Sequence, residues 1–364
     1  MSKRNEYFPQ TVTHPGATLA EKLEELKMSQ KEFALRTSKP EQTIIKVING
    51  ESSITPDMAV RFEDVLKIPA GFWMRHQRSY DEAVARNKRK EAIAEAIEWA
   101  KAFPYAKMAS FGWVPTTRKV EEKVEALFQY FSVSNHQAWE GYYYGQKLKV
   151  NFRISLAHTN KPFALASWLR QGELQASQLE ANEFDAKTFK TNLESIKEVM
   201  ASHPDNFFEE LQRLCAEAGV KVVYTPCLPG APIHGSTRWI NDSPLIQLSA
   251  RYRQNDIFWF TFFHEAGHIL KHGKKYISLE NVEYDEKETE KEQEADQFAI
   301  DWTFTEEQEE EVLEAAPLSE EDIMEFAEKF GTHPAMIIGR FHHKQLVPYS
   351  IGRSFIMPID LSQN

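Results

Sequence analysis

Residues 264–268 read His-Glu-Ala-Gly-His inside an apolar run that opens Ile257, Phe258, Trp259, Phe260, Phe262, Phe263 and continues past the motif to Ile269 and Leu270. No other stretch restricts the fold as strongly. A helix this apolar is buried. At about 3.6 residues per turn, His264 and His268 share one of its faces, so two imidazoles converge on one metal ion. Glu265 follows the first histidine and reaches a metal-bound water as general base. Buried polar groups without partners are costly. A metal accounts for all three residues, in the arrangement expected of a zinc-dependent hydrolase of peptide bonds.

A catalytic zinc takes three protein ligands and keeps one position for water. The third ligand must come from an element packed on the first helix. His272 continues the four-residue spacing, but it lies about 12 Å along the axis from His264 at a rise of about 1.5 Å per residue, too far for one ion. It is assigned instead to the helix end before Gly273. Lys271 and Lys274 stand where an elongated metzincin motif needs glycine and histidine. Glu288 to Trp302 reads as a helix with an inward stripe of Ala295, Phe298, Ala299 and Trp302. Glu292 shares that stripe and is the expected third ligand. Glu290 faces outward, and Glu294 is less favourably placed. Asp296, four residues after Glu292, is placed to accept a hydrogen bond from a ligand histidine.

At 364 residues the chain is long enough for two or three domains. Its longest apolar stretch, 257–263, is far too short to cross a bilayer. No signal peptide is visible, since Met1-Ser2-Lys3-Arg4-Asn5 leads into polar sequence. Cys215 and Cys227 make no disulfide framework, so the cytoplasm is the expected compartment. The net charge of -11 is unevenly spread: residues 280–311 hold fifteen acids against Lys287 and Lys291, whereas residues 1–90 carry sixteen Lys/Arg and twelve Asp/Glu. A mildly basic start and a strongly acidic later segment imply surfaces with different tasks.

Residues 17–85 read as five short helices. Ser29 with Glu32 makes a capping box. Thr37-Ser38-Lys39 is a tight turn, Pro40 opens the next helix, and Asn49-Gly50 stops it. Thr55-Pro56 starts a fourth helix, and Pro69 to Arg86 gives the fifth. The second and third helices form a helix-turn-helix whose later helix enters a major groove. The bland alternative is a helical bundle with a polar face. In a DNA reader, the outward positions of that later helix would be Lys39, Glu41, Gln42, Thr43 and Lys46: Gln42 would read a base edge, Lys39 and Lys46 would meet phosphates, and Gln30 would donate to a phosphate at the preceding helix start. Glu41 works against that contact by pointing negative charge the same way.

Asn87-Lys88-Arg89-Lys90 is a charged hinge or the exposed end of a helix. Helices follow at 91–103, 120–131, 164–179 and 187–200, forming a connector that carries little chemistry. Tyr142, Tyr143 and Tyr144 serve packing rather than a nucleic-acid platform. Phe207 to Ala218 is a helix stopped by Gly219, and short strands at 220–224, 235–239 and 245–248 form a small antiparallel sheet ahead of the motif helix. Ser319-Glu320-Glu321-Asp322 caps a further helix, and Pro334 to Lys344 is the last. Arg340 and His342 face either the cleft or the surface.

Two resemblances rest on these stretches. Residues 12–85 resemble the XRE-type helix-turn-helix domains, and more closely the HigA-type antitoxins, through Met28-Ser29-Gln30-Lys31-Glu32, Gln42-Thr43-Ile44, Ile48-Asn49-Gly50, Ile54-Thr55-Pro56-Asp57 and Phe72-Trp73. Glu41 and Ile45 depart from the basic and small polar residues usual there. Residues 160–350 resemble the ImmA/IrrE metallopeptidases through Trp168-Leu169-Arg170, Leu214-Cys215-Ala216-Glu217-Ala218-Gly219, Phe262-Phe263-His264-Glu265, Glu292-Gln293-Glu294-Ala295-Asp296 and Gly339-Arg340-Phe341. That resemblance implies that His264, His268 and Glu292 hold zinc and that Glu265 is catalytic.

The expected class is α+β and mainly helical. It comprises a five-helix helix-turn-helix domain (1–86), a helical connector (87–204), a zincin-like metallopeptidase domain with a small sheet (205–350) and a tail (351–364). The expected function is a DNA-binding transcriptional regulator fused to a zinc-dependent endopeptidase. Its partners would be operator DNA, a repressor or toxin protein as substrate or partner, and a second copy in a homodimer, with no membrane. The alternative is a non-proteolytic HigA-like antitoxin that uses the metal domain as a sensor or docking module.

Overall fold

A computed structural model describes residues 13–143, 162–275, 278–279 and 286–361. It divides into two compact units, Met1–Glu95 and Ala96–Asn364. Tyr144, the start of the acidic run at 280–285 and the last residues of the tail lie outside the described residues.

The first unit comprises α1 (Pro15–Glu25), α2 (Gln30–Arg36), α3 (Glu41–Ile48), α4 (Pro56–Leu66) and α5 (Ala70–Glu95). The starts of α1, α2 and α4 are set by side-chain caps. His14 Nδ1 accepts from the Gly16 amide at 2.9 Å, Ser29 Oγ from Glu32 at 3.1 Å and Thr55 Oγ1 from Met58 at 3.3 Å. Leu19, Phe33, Ile44, Phe62 and Trp73 fill the core. α1 and α3 approach so closely that a Cβ on Gly16 would lie 1.8 Å from the Val47 carbonyl oxygen.

Two expectations change here. Glu32 does not complete a capping box: its carboxylate pairs with Arg36 at 2.6 Å, one helical turn on. Asn87 to Lys90 is neither a hinge nor a helix end, because α5 runs on to Glu95. Nothing in the sequence from Phe72 to Glu95 breaks a helix, and Glu82–Arg86 at 2.6 Å adds a favourable pair one turn apart.

In the second unit α6 (Ile97–Lys101), α7 (Tyr105–Ser110), α8 (Val120–Phe131) and α9 (His136–Trp139) surround an aromatic cluster of Trp99, Phe103, Phe131 and Trp139. Tyr143 joins it, buried and donating to the Phe131 carbonyl at 3.1 Å, which fits the packing role. α10 (Pro162–Ala176), α11 (Ala186–Ser202) and α12 (Phe207–Glu217) lead to β1 (Lys221–Tyr224), β2 (Gly235–Ile240) and β3 (Ser243–Leu248). Next come α13 (Asn255–His272), β4 (Ser278–Leu279), α14 (Glu286–Thr303), α15 (Glu306–Glu314), α16 (Glu320–Phe330) and α17 (Pro334–His343).

The sheet order is β1-β3-β2-β4. β2 is antiparallel to β3 and β4, as expected of a hairpin turning at Asn241, but β1 pairs with β3 in parallel. The sheet is therefore mixed rather than antiparallel. The chain between β1 and β2 passes over β3, so β1 and β3 run the same way. α10 covers one sheet face: Trp168 Nε1 donates to the Thr225 carbonyl at 2.9 Å, and Gln247 Nε2 to the Trp168 carbonyl at 2.7 Å. α13 covers the other, with Thr237 Oγ1 donating to the Glu265 carbonyl at 3.1 Å. Behind α13 lies the main core, which includes Phe258, Phe262, Phe263, Phe298, Ile337 and Phe341. No helix among the described residues is long and apolar enough to cross a membrane.

Candidate metal centre

The motif helix α13 carries Asn255, Phe258, Trp259, Phe262, Phe263 and Ala266 into the core, and the same burial takes His264, Glu265 and His268 out of water. α14 packs on it through Ala295, Phe298 and Ala299, which turns Glu292 towards the histidines. One donor atom each from His264, His268 and Glu292 lies within 4.8 Å of the others. Glu292 Oε2 is 3.3 Å from His264 Nε2, and Glu292 Oε1 is 3.5 Å from His268 Nε2. The two Nε2 atoms stand 3.0 Å apart.

Outer partners decide where the ring protons sit. His264 Nδ1 lies 2.8 Å from Asp296 Oδ1. An ionised carboxylate only accepts, so Nδ1 carries the hydrogen and Nε2 keeps a lone pair. His272 Nε2 lies 2.8 Å from Glu294 Oε2 and donates for the same reason. That leaves His272 Nδ1 as an acceptor, 2.9 Å from His268 Nδ1, which therefore donates. His268 Nε2 is then a second lone pair. Burial pushes the His268 imidazole down to about 4, opposed by the Glu292 hydrogen bond and reinforced by His264 and His272. Two lone pairs and a carboxylate face one another in a largely buried site. A divalent cation is the group that fits this set, with two nitrogens and one oxygen as its protein donors.

Glu265 is fully buried beside this cluster. β2 starts directly against it: a Cβ on Gly235 would lie 2.7 Å from Glu265 Oε1 and 2.6 Å from Thr261 Cγ2. Only a glycine lets the strand pass this close to the carboxylate.

Comparison with known proteins gives both halves of the chain a family. Residues 19–73 match the helix-turn-helix family, and residues 215–342 match the IrrE N-terminal-like domain of a peptidase family. The chain joins a helix-turn-helix domain to an IrrE-type peptidase domain. The first of these is similar to an uncharacterized HTH-type transcriptional regulator of Escherichia coli, 30% identical over 71 residues, 20% of this chain and 76% of that protein. It is also similar to an addiction module antidote protein of the HigA family from Coxiella burnetii, at 34% identity over 23% of this chain and 92% of that one, with a TM-score of 0.22. The antitoxin HigA of Pseudomonas aeruginosa, solved with its promoter, is 28% identical over 22% and 89% of the two chains, with a TM-score of 0.22.

Within the helix-turn-helix domain, Gln30 is exposed at the start of α2, Gln42 and Lys46 are exposed on α3, and Thr43 is half-buried. Lys39 is engaged elsewhere, its ammonium 2.6 Å from the Asp57 carboxylate on α4. Arg61 meets the same carboxylate at 3.1 Å.

Within the IrrE-type domain, the sequence reading missed the His272–Glu294 pair. His272 does not cap the helix end. It links His268 to α14, and the four-residue spacing already marked it as facing His268. Arg340 and His342 lie away from the metal centre. Arg340 meets the buried Glu309 carboxylate at 3.2 Å, and His342 Nε2 contacts the Ile351 carbonyl at 3.0 Å. Arg340 ties α17 to α15, and His342 ties α17 to the turn that follows it.

Proposed function

We propose that this protein is a cytoplasmic transcriptional regulator that binds operator DNA through α3 and cleaves a partner regulatory protein with a zinc-dependent peptidase. The observation that carries the reading is the convergence of His264, His268 and Glu292, with the proton placement that leaves both Nε2 atoms as donors to a metal. A bound Zn²⁺ would supply Lewis acidity for the scissile carbonyl and make water acidic enough to attack it. Glu265 takes the proton of the attacking water and delivers it to the leaving amine. Gly235 lets the backbone of β2 lie against Glu265, and the packed side of α13 keeps bulk water from the carboxylate. Asp296 and the His272–Glu294 pair hold the two imidazoles in the orientation a metal requires.

On the DNA side, Gln42 and Thr43 read base edges, while Lys46, Lys39 and Gln30 reach phosphates from a homodimer. Lys39 does so by exchanging Asp57 for a phosphate. Likeness to HigA-type antitoxins favours a repressor or toxin encoded beside this gene as the partner, in mobile-element, stress or toxin–antitoxin control.

The deciding experiment combines metal analysis with incubation of the purified chain and its co-encoded partner. Wild type should carry stoichiometric zinc and cleave the partner. Glu292→Ala should lose zinc and cleavage, and Glu265→Gln should keep zinc and lose cleavage. Zinc retained by all three with no hydrolysis by any would sink the peptidase reading and favour a non-proteolytic antitoxin.

A further inference from the structure

In the second unit, α6, α7 and α8 border a hollow with its own chemistry. A cavity of about 450 Å³ is lined by Lys101, Lys107 and Lys123 around Phe103, Tyr105 and, on one side, Pro229. No aspartate or glutamate lines it, in a chain whose net charge is -11. Lys101 pairs with Glu98 at 2.6 Å. Lys107 and Lys123 rest on aromatic rings instead, 4.3 Å from the Phe111 centroid and 5.4 Å from the Tyr105 centroid. Phe103 and Tyr105 are almost fully buried and make an apolar floor. The Tyr105 hydroxyl is committed to the Pro115 carbonyl at 2.7 Å, so the ring is held in place.

We propose that this cavity binds a small anionic molecule: a phosphate group on an apolar or aromatic body. Glu98 compensates Lys101, which leaves Lys107 and Lys123 as two like charges at one hollow, and an anion between them lowers their repulsion. The volume lies within the range of small-molecule sites, about 300–1,000 Å³, and an apolar floor with a few converging charges is their usual build. The ligand body lies on Phe103 and Tyr105, and the phosphate meets Lys107 and Lys123.

The position gives the ligand a route to the cleft. Pro229 belongs to the segment joining β1 to β2, and β2 opens at Gly235 against Glu265. The same segment is fixed at its far end, where the Ser249 amide donates to the His234 carbonyl at 2.9 Å. An occupant pressing on Pro229 therefore orders the segment that leads into β2 beside Glu265. Binding itself requires neither metal nor hydrolysis, so it stands or falls apart from the peptidase reading.

The test is calorimetric titration of the full chain with 1-naphthyl phosphate and with inorganic phosphate. Amide hydrogen exchange is then followed over residues 225–234. 1-Naphthyl phosphate should bind more tightly than inorganic phosphate. Lys107→Gln with Lys123→Gln should weaken it by about tenfold, given that each partly exposed charge pair contributes about 0.2–1 kcal/mol. Lys329→Gln, outside the cavity, should leave it unchanged. Exchange across 225–234 should slow on binding. Equal affinity for the two phosphates would remove the apolar floor from the argument. Affinity unchanged in the double variant, with a native circular dichroism spectrum, would overturn the site. Binding without slower exchange would overturn the link to the cleft.

Discussion

Replacing Asp296 with Asn isolates the part of the metal centre that proton placement alone predicts. Asp296 touches no metal; it accepts the His264 Nδ1 hydrogen at 2.8 Å. An asparagine of nearly the same shape can still accept that hydrogen through its amide oxygen, but it brings no charge. Outer partners of this kind are worth about 10–100-fold in metal affinity. The Asp296 side chain is 54% exposed, so solvent screens it and the low end applies. Asp296→Asn should therefore weaken zinc binding about tenfold, or about 1.4 kcal/mol. Glu294→Gln acts on His268 only through His272 and is 58% exposed, so about threefold is expected. A competitive titration against a chromophoric chelator, at fixed pH and ionic strength, measures both. Thermal midpoints of the metal-free variants should stay close to wild type, since a surface substitution changes stability by about 0.5 kcal/mol or less. Affinity unchanged in Asp296→Asn would mean that His264 is not held by this carboxylate. The proton assignment would then be wrong.

Gly235→Ala must displace the Glu265 carboxylate, because the new methyl would sit 2.7 Å from Oε1. It should keep zinc yet lose roughly 100-fold in partner cleavage, and full activity would show that β2 does not constrain the base. Lys46→Ala should weaken operator binding and reduce the slope of log affinity against log salt by about one, whereas an unchanged slope removes Lys46 from the phosphate contacts. His333 is held down at about 4 by burial, with His203 adding to the effect. The folded state thus binds fewer protons than the unfolded chain below pH 6.5, and stability present above that pH is lost as pH falls towards 4. Urea unfolding at pH 7 and pH 5 should differ by about 1–2 kcal/mol through this group, and His333→Asn, which retains the cap on the Ala335 amide, should reduce the difference.

Much of the geometry that gathers His264, His268 and Glu292 is legible in the sequence because helical periodicity reports burial. His264 and His268 share a face by spacing, and Glu292 was found from the stripe of Ala295, Phe298 and Ala299. The His272–Glu294 contact was not, because it depends on how far α14 slides along α13, which no repeat within either segment encodes. The sheet shows the same limit. Asn241 and Asp242 mark the β2–β3 hairpin locally, whereas β1 finds β3 across an intervening strand, a long-range choice set by packing under α10. The run of like charges after Arg86 resembles a boundary, yet α5 continues through it to Glu95. Charge alone does not stop a helix that has no proline or glycine to break it. Lys39 illustrates a different gap: its spacing suits a phosphate contact, but Asp57 on α4 lies within reach.

The division of labour between α13 and α14 has a mechanical consequence. Every imidazole of the centre rides on α13, and every carboxylate that grips or steadies them, Glu292, Glu294 and Asp296, rides on α14. A shift of α14 by a single turn would withdraw the ligand and both braces together. The three carboxylates therefore meet the imidazoles together or not at all.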